Sequence, residues 1–135
     1  QSIQPQPKPP TAIIQQFTLE QVRPSLWQMF AQYHYRSEKL YFPDKVFAFK
    51  HTSGQYAAII IYSFPQANCA MRNMVLQKHY RRYPAPLKLK LLNHDLRTIS
   101  RLVVLPQFRG ISLASELIRQ SMPLVNARYI EVSAV

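Results

Sequence analysis

The sequence predicts an α/β (α+β) domain: a mixed central sheet flanked by helices and ending at a fifth strand. Three observations predict it. Residues 45–62 read as a β-hairpin, with two β-rich runs around Thr52-Ser53-Gly54. Residues 99–125 run from an apolar strand through Pro106 and a turn carrying Gly110 into a stripe of helical period. Tyr129-Ile130-Glu131-Val132 then opens a last β-rich run, which a right-handed helical crossover sets parallel to the strand before it.

Composition bounds the rest. With 135 residues, 47% hydrophobic and 12% aromatic, the chain is long enough for one domain with a core and is too apolar for disorder. Residues 1–11, with Pro5, Pro7, Pro9 and Pro10 among glutamines, read as a mobile polar arm, and 12–135 as a single domain. A lone cysteine, Cys69, excludes an internal disulfide and reads as a small hydrophobe, while His34, His51, His79 and His94 lack metal-ligand spacing. The longest apolar run, 57–62, falls far short of the ~20 residues that span a bilayer. No signal-peptide pattern opens the chain, which begins at Gln1 rather than at a methionine, and the expected location is the cytoplasm. The net charge is +11, and its surplus gathers between Arg72 and Arg109, against Asp95 alone. An anionic partner is implied.

Taken in order, 12–17 is the expected first strand. Thr18-Leu19-Glu20-Gln21 has capping-box spacing, which predicts a helix with Val22, Leu26, Met29, Phe30 and Tyr33 on its inner face and a break at Pro24. Strands follow at 45–51 and 55–62. The continuous Ala-Ile-Ile-Ile run marks the second of these as covered on both sides. An insertion of roughly 35 residues, 63–97, exceeds an ordinary connection. Within it Leu87, Leu91, Leu92 and Leu96 predict one face of a helix ending near Arg97. The fourth strand is expected at 99–105. The helix at 113–125 should bury Leu113, Leu117, Ile118 and Met122 and bend or end at Pro123.

The first N–H groups of a helix lack intrahelical partners and carry the positive end of its dipole, so the turn before 113 is suited to an anion. Gln107, Gly110 and Ser112 within PQFRGISLA resemble the acyl-CoA signature of the GNAT-type N-acetyltransferase superfamily, an Arg or Gln followed by x-x-Gly-x-Gly/Ala. Ser112 departs from the usual Gly or Ala, and its hydroxyl is placed to cap the helix. The resemblance is carried by about a quarter of the chain. A weaker one, through YHYRS, IIIYSFP and SRLVVLPQFRGISLA, is to acetyltransferase domains joined to ABC-type ATPase modules.

The resemblance implies an acyl-CoA N-acyltransferase-like fold, here stopping at the fifth strand where relatives add a helix and two strands. It implies transfer of an acetyl group from acetyl-CoA to an amine acceptor by direct attack on the thioester. Val103 and Val104 would pair with the pantetheine arm where the fourth and fifth strands part, and one N–H of that strand would face the thioester carbonyl. Gln107 and the amides of Arg109, Gly110, Ile111, Ser112, Leu113 and Ala114 would hold the pyrophosphate. Residues 33–36 would help shape the acceptor site, and the insertion would lie beside the cleft. No carboxylate lies on the fourth strand, and the tyrosine acid of relatives would fall after Val135, so Glu131, His94 and Asp95 remain as candidate proton-transfer groups. Arg101 is a candidate for contact with cofactor or acceptor, or for an ion pair with Glu131. Two other function classes stand beside this one. One is a nucleic-acid-binding module, with 72–109 on phosphate and Tyr80 and Tyr83 stacked on bases. The other is a catalytically inactive acyl-CoA-binding or interaction domain of a larger polypeptide.

Overall fold

Apolar and β-branched residues set at period 2 give this chain its framework. The computed structural model describes residues 14–34, 40, 42–65 and 82–132. Five strands form one sheet in the order of the sequence: β1 (Phe17–Val22), β2 (Pro43–His51), β3 (Tyr56–Ser63), β4 (Leu96–Val104) and β5 (Tyr129–Val132). The first four pair antiparallel and β5 joins β4 in parallel. The molecule is therefore α+β with a mixed sheet, and the hairpin and the crossover stand where the sequence puts them. The arm at 1–11, Cys69 and most of the 63–97 insertion lie outside the described residues.

The N-terminal part departs from expectation. Thr18 begins no helix: Phe17–Val22 is a strand, preceded by a short 3-10 turn at Ile14–Gln16. Phe17 and Leu19 alternate with Thr18 and Glu20, and register with β2 from Phe17↔His51 to Val22↔Val46 satisfies the backbone along the whole segment. Helical character begins at Pro24 and takes the form of two 3-10 turns, Pro24–Met29 and Ala31–Tyr33. Trp27 and Phe30, three apart and eclipsed in that geometry, are buried, whereas Met29 and Tyr33 are exposed.

β3 is buried along almost its whole length, as its apolar run requires. Helix α1 (Ala85–Asp95) ends two residues earlier than expected, and β4 starts at once with Leu96 in extended backbone. Leu92 and Leu96 are buried together against Tyr129, and this contact sets the switch from helix to strand. Leu87, expected inward, is exposed. Helix α2 (Leu113–Ser121), continued by a 3-10 turn at Met122–Leu124 that contains Pro123, covers one face of the sheet. Leu113 and Leu117 pack there on Phe47, Ala58, Ile60, Tyr62 and Ile99, with Ile118 at the margin. Met122 turns out to solvent because the chain has already left the α-helical period.

On the other face Trp27 and Phe30 cover Val46, Ile59, Ile61 and Val103. A bulge in β4 sets which side chains reach each face. The register passes from Ile61↔Arg101 to Tyr62↔Ile99, leaving Ser100 as the extra residue. Ile99 therefore packs beside Tyr62, while Arg101 goes to the opposite face, its guanidinium 5.7 Å from the Trp27 ring. Among the described residues no helix is long and apolar enough to cross a membrane.

Candidate functional site

The two halves of β4 have different neighbours. β5 pairs with it only from Leu96↔Tyr129 to Ile99↔Val132, and among the described residues β4 runs on from Ser100 to Val104 without a partner on that side. Leu105 donates its amide to the Ala57 carbonyl at 2.9 Å, on the β3 side. Strand alternation then turns the N–H and C=O groups of Val104 and Leu102 away from β3, toward the open edge. Val103, expected to offer its backbone there, faces β3 with its main chain, and its side chain is buried against the Trp27 layer. Among the described residues the open edge consists of Leu102 and Val104.

Directly above that edge the chain makes the turn that the sequence singles out. Pro106–Phe108 is a 3-10 turn, Arg109 is extended, and Gly110 has φ +87°. Ser112 also lies in the left-handed region, at φ 60° and ψ 26°, and immediately precedes α2. A Cβ on Gly110 would meet nothing within 4 Å, so glycine serves the backbone angle there rather than close packing. The Ser112 hydroxyl makes no capping hydrogen bond, contrary to expectation, because left-handed backbone turns it from the helix N–H groups that an extended N-cap would reach. The first intrahelical bond is Glu116 N–H to Ser112 O, which leaves the amides of Leu113, Ala114 and Ser115 without a helical acceptor. Leu113 is a core side chain, Ile111 packs at the core margin, and Gln107 is exposed.

One acidic group, Glu116, lies in the first turn of α2. It is held by Arg119 and by Gln120 Nε2, the latter at 2.8 Å, and the Arg119 contact holds its carboxyl below the ordinary carboxylate range. Its charge is thus largely answered before it reaches the helix end. Arg109 behaves differently from expectation: its Nε donates to the Val104 carbonyl at 3.0 Å, on the open edge itself. An aromatic brace anchors the turn to the rest of the sheet. Phe108 meets Phe17 edge-on at 5.5 Å and lies 5.6 Å from the His51 ring. Ser53 donates its amide to His51 Nδ1 at 3.1 Å, so in the neutral ring Nε2 carries the proton and donates to Gln16 Oε1 at 3.1 Å. Sequence reasoning missed this brace, since nothing local links residues 17, 51 and 108.

The three candidate proton-transfer residues are not brought together. Glu131 stands opposite Thr98 across the β4–β5 pair, one step before the last described pair of those strands. His94 and Asp95 end α1, at the start of β4 and the far end of that strand from the turn, with His94 Nδ1 2.9 Å from Asp95 and largely in solvent. They line a cleft of about 680 Å³ with Asp44, Lys45, Arg97 and Arg128. Arg97 there donates to Asp44 at 2.7 Å and to the Asn93 carbonyl at 2.6 Å, and lies 4.0 Å over the Phe64 ring, which ties β2, α1 and β4 into one corner. No ion pair joins Arg101 to Glu131 among the described residues.

The basic segment is divided by the fold. Arg97 and Arg101 are buried, Lys90 and Arg82 are exposed, and Tyr80 lies outside the described residues. Tyr83 packs on the Leu92–Leu96 cluster and is stacked by Arg82 at 5.1 Å, so one ring face is engaged within the chain. Of the expected acceptor-site group, Tyr35 and Arg36 lie outside the described residues, while His34 meets Trp27 edge-on at 5.7 Å. Comparison with protein-family models, with curated proteins and with solved structures found no match.

Proposed function

We propose that this chain is an acyl-CoA-dependent N-acyltransferase domain that transfers an acetyl group from acetyl-CoA to an amine acceptor, in the cytoplasm and joined to further domains of one polypeptide. The observation that carries the reading is the edge at Leu102 and Val104, unpaired among the described residues, running straight into a left-handed turn at a helix N-terminus. An extended amide-bearing arm needs an unpaired strand edge, and a pyrophosphate needs unpartnered N–H groups at positive potential. The two stand in that order along one strand and one turn.

In this reading the Leu102 and Val104 backbone groups bind the pantetheine arm as a sixth strand segment, and the amides of Gly110, Ile111, Ser112, Leu113 and Ala114 take the pyrophosphate. An open N–H on β4 supports the thioester oxygen as negative charge grows on it. The acceptor nitrogen forms its bond to the acyl carbon as the carbon–sulfur bond breaks, and the amine's proton must leave. Glu131, one step before the last described β4–β5 pair, is the carboxylate assigned to that proton. His94 and Asp95, at the other end of β4, are not.

Titration of acetyl-CoA into the protein by calorimetry tests the reading. Binding is expected, and at about 100 times the dissociation constant it adds ~2.7 kcal/mol to stability. No heat and no thermal shift with folded protein would sink it. Binding without acyl transfer to any amine would leave a binding domain and remove the catalytic claim.

A further inference from the structure

We propose that Arg109 makes the open edge of β4 selective for phosphorylated ligands, because its guanidinium holds the Val104 carbonyl until an anion draws it away. The inference rests on the acyl-CoA reading of the same edge and adds to it a gate that no signature residue implies.

Arg109 Nε reaches back five residues to the Val104 carbonyl, at 3.0 Å. That carbonyl is one of the two that alternation turns toward the edge, so a ligand strand and the guanidinium compete for one acceptor. Arg109 is exposed, and among the described residues its side chain makes no other hydrogen bond. It is also the one cationic side chain between Leu105 and Ala114. Beyond it, on the same turn, lie the free amides at the start of α2.

The chemistry of the exchange sets the selectivity. A neutral chain such as pantetheine must draw the guanidinium from Val104 and offers it only neutral carbonyl or hydroxyl acceptors in return. A ligand with a phosphate offers the same guanidinium a charged, two-toothed partner, stronger than a carbonyl. Arg109 then gives up one acceptor for a better one, and Val104 is released for the arm. The apparent affinity of an unphosphorylated chain is reduced by the fraction of molecules in which Val104 is free.

The two ligand classes should respond to Arg109→Ala with opposite signs. Calorimetry of the full chain with pantetheine and with coenzyme A, for the wild type and R109A, reads this directly, with a thermal melt to verify that R109A is folded. Pantetheine is expected to bind about three- to tenfold tighter to R109A, and coenzyme A about three- to tenfold weaker, the scale of one charge-assisted hydrogen bond at an exposed site. If coenzyme A binds the wild type while R109A leaves pantetheine unchanged, weaker or unbound, Arg109 is no gate and the cofactor site stands. If neither ligand binds the wild type, the acyl-CoA reading falls and the gate with it.

Discussion

Tyr62 shows how one buried hydroxyl is supported. The ring lies in the core between β3 and α2, and its OH is 2.8 Å from Ser121 Oγ, which in turn donates to the Leu117 carbonyl at 2.6 Å. Burial pushes the phenol above its ordinary range, with the Ser121 hydrogen bond opposing. The two partners are not equivalent. Ser121→Ala leaves the phenol buried without its partner and is expected to cost about 1–3 kcal/mol in urea unfolding, whereas Tyr62→Phe leaves Ser121 bonded to Leu117 and should cost roughly 1 kcal/mol or less. A raised folded pKa gives stability that is present below the unfolded phenol value and lost as pH rises through the folded one. Wild-type protein should therefore weaken above about pH 10 more steeply than Y62F.

At the scale of elements, the turn before α2 holds a testable strain. Ser112 sits in left-handed backbone and gains no capping bond in return. Ser112→Gly removes a cost of about 1 kcal/mol and should raise the melting temperature by several degrees. A fall in stability would mean that the hydroxyl has a partner that this geometry denies it. The same turn shows what a sequence can and cannot tell. β2, β3, α2 and β5 were readable because alternation, Gly54 and the stripe of Leu113 and Leu117 are local signals that the packing then reinforces. β1 is not legible from sequence because the spacing of Thr18 and Gln21 imitates a helix start, and only the neighbouring β2 decides against it. The α1–β4 junction was blurred because Leu96 satisfies a helical face and a strand start equally well. In the site, Gly110 and the turn were visible from spacing. The Arg109–Val104 bond and the Phe17–His51–Phe108 brace were not, since each depends on where distant backbone lies.

At the scale of the whole molecule, the two faces of the sheet are covered by different parts of the chain: α2 on one, the 3-10 turns around Trp27 on the other. The candidate site belongs to neither layer. It lies at the edge of β4 beyond its described pairing with β5, so both layers act through the sheet they hold in register. The surplus positive charge raises the local concentration of any anionic ligand, and its reach shrinks as salt shortens the screening length from about 10 Å at 0.1 M.

The short pairing of β5 has a consequence in time. Among the described residues β5 gains only the pairing from Leu96 to Ile99, whereas β2 and β3 are each paired along both edges. β5 is expected to be the first piece to lift off in local opening. Amides of Tyr129–Val132 should exchange with deuterated solvent well before those of β2 and β3, and equal protection across the sheet would contradict this. The stretch of β4 that carries the candidate site thus adjoins the least paired strand of the described sheet, and local opening bares its outer edge first.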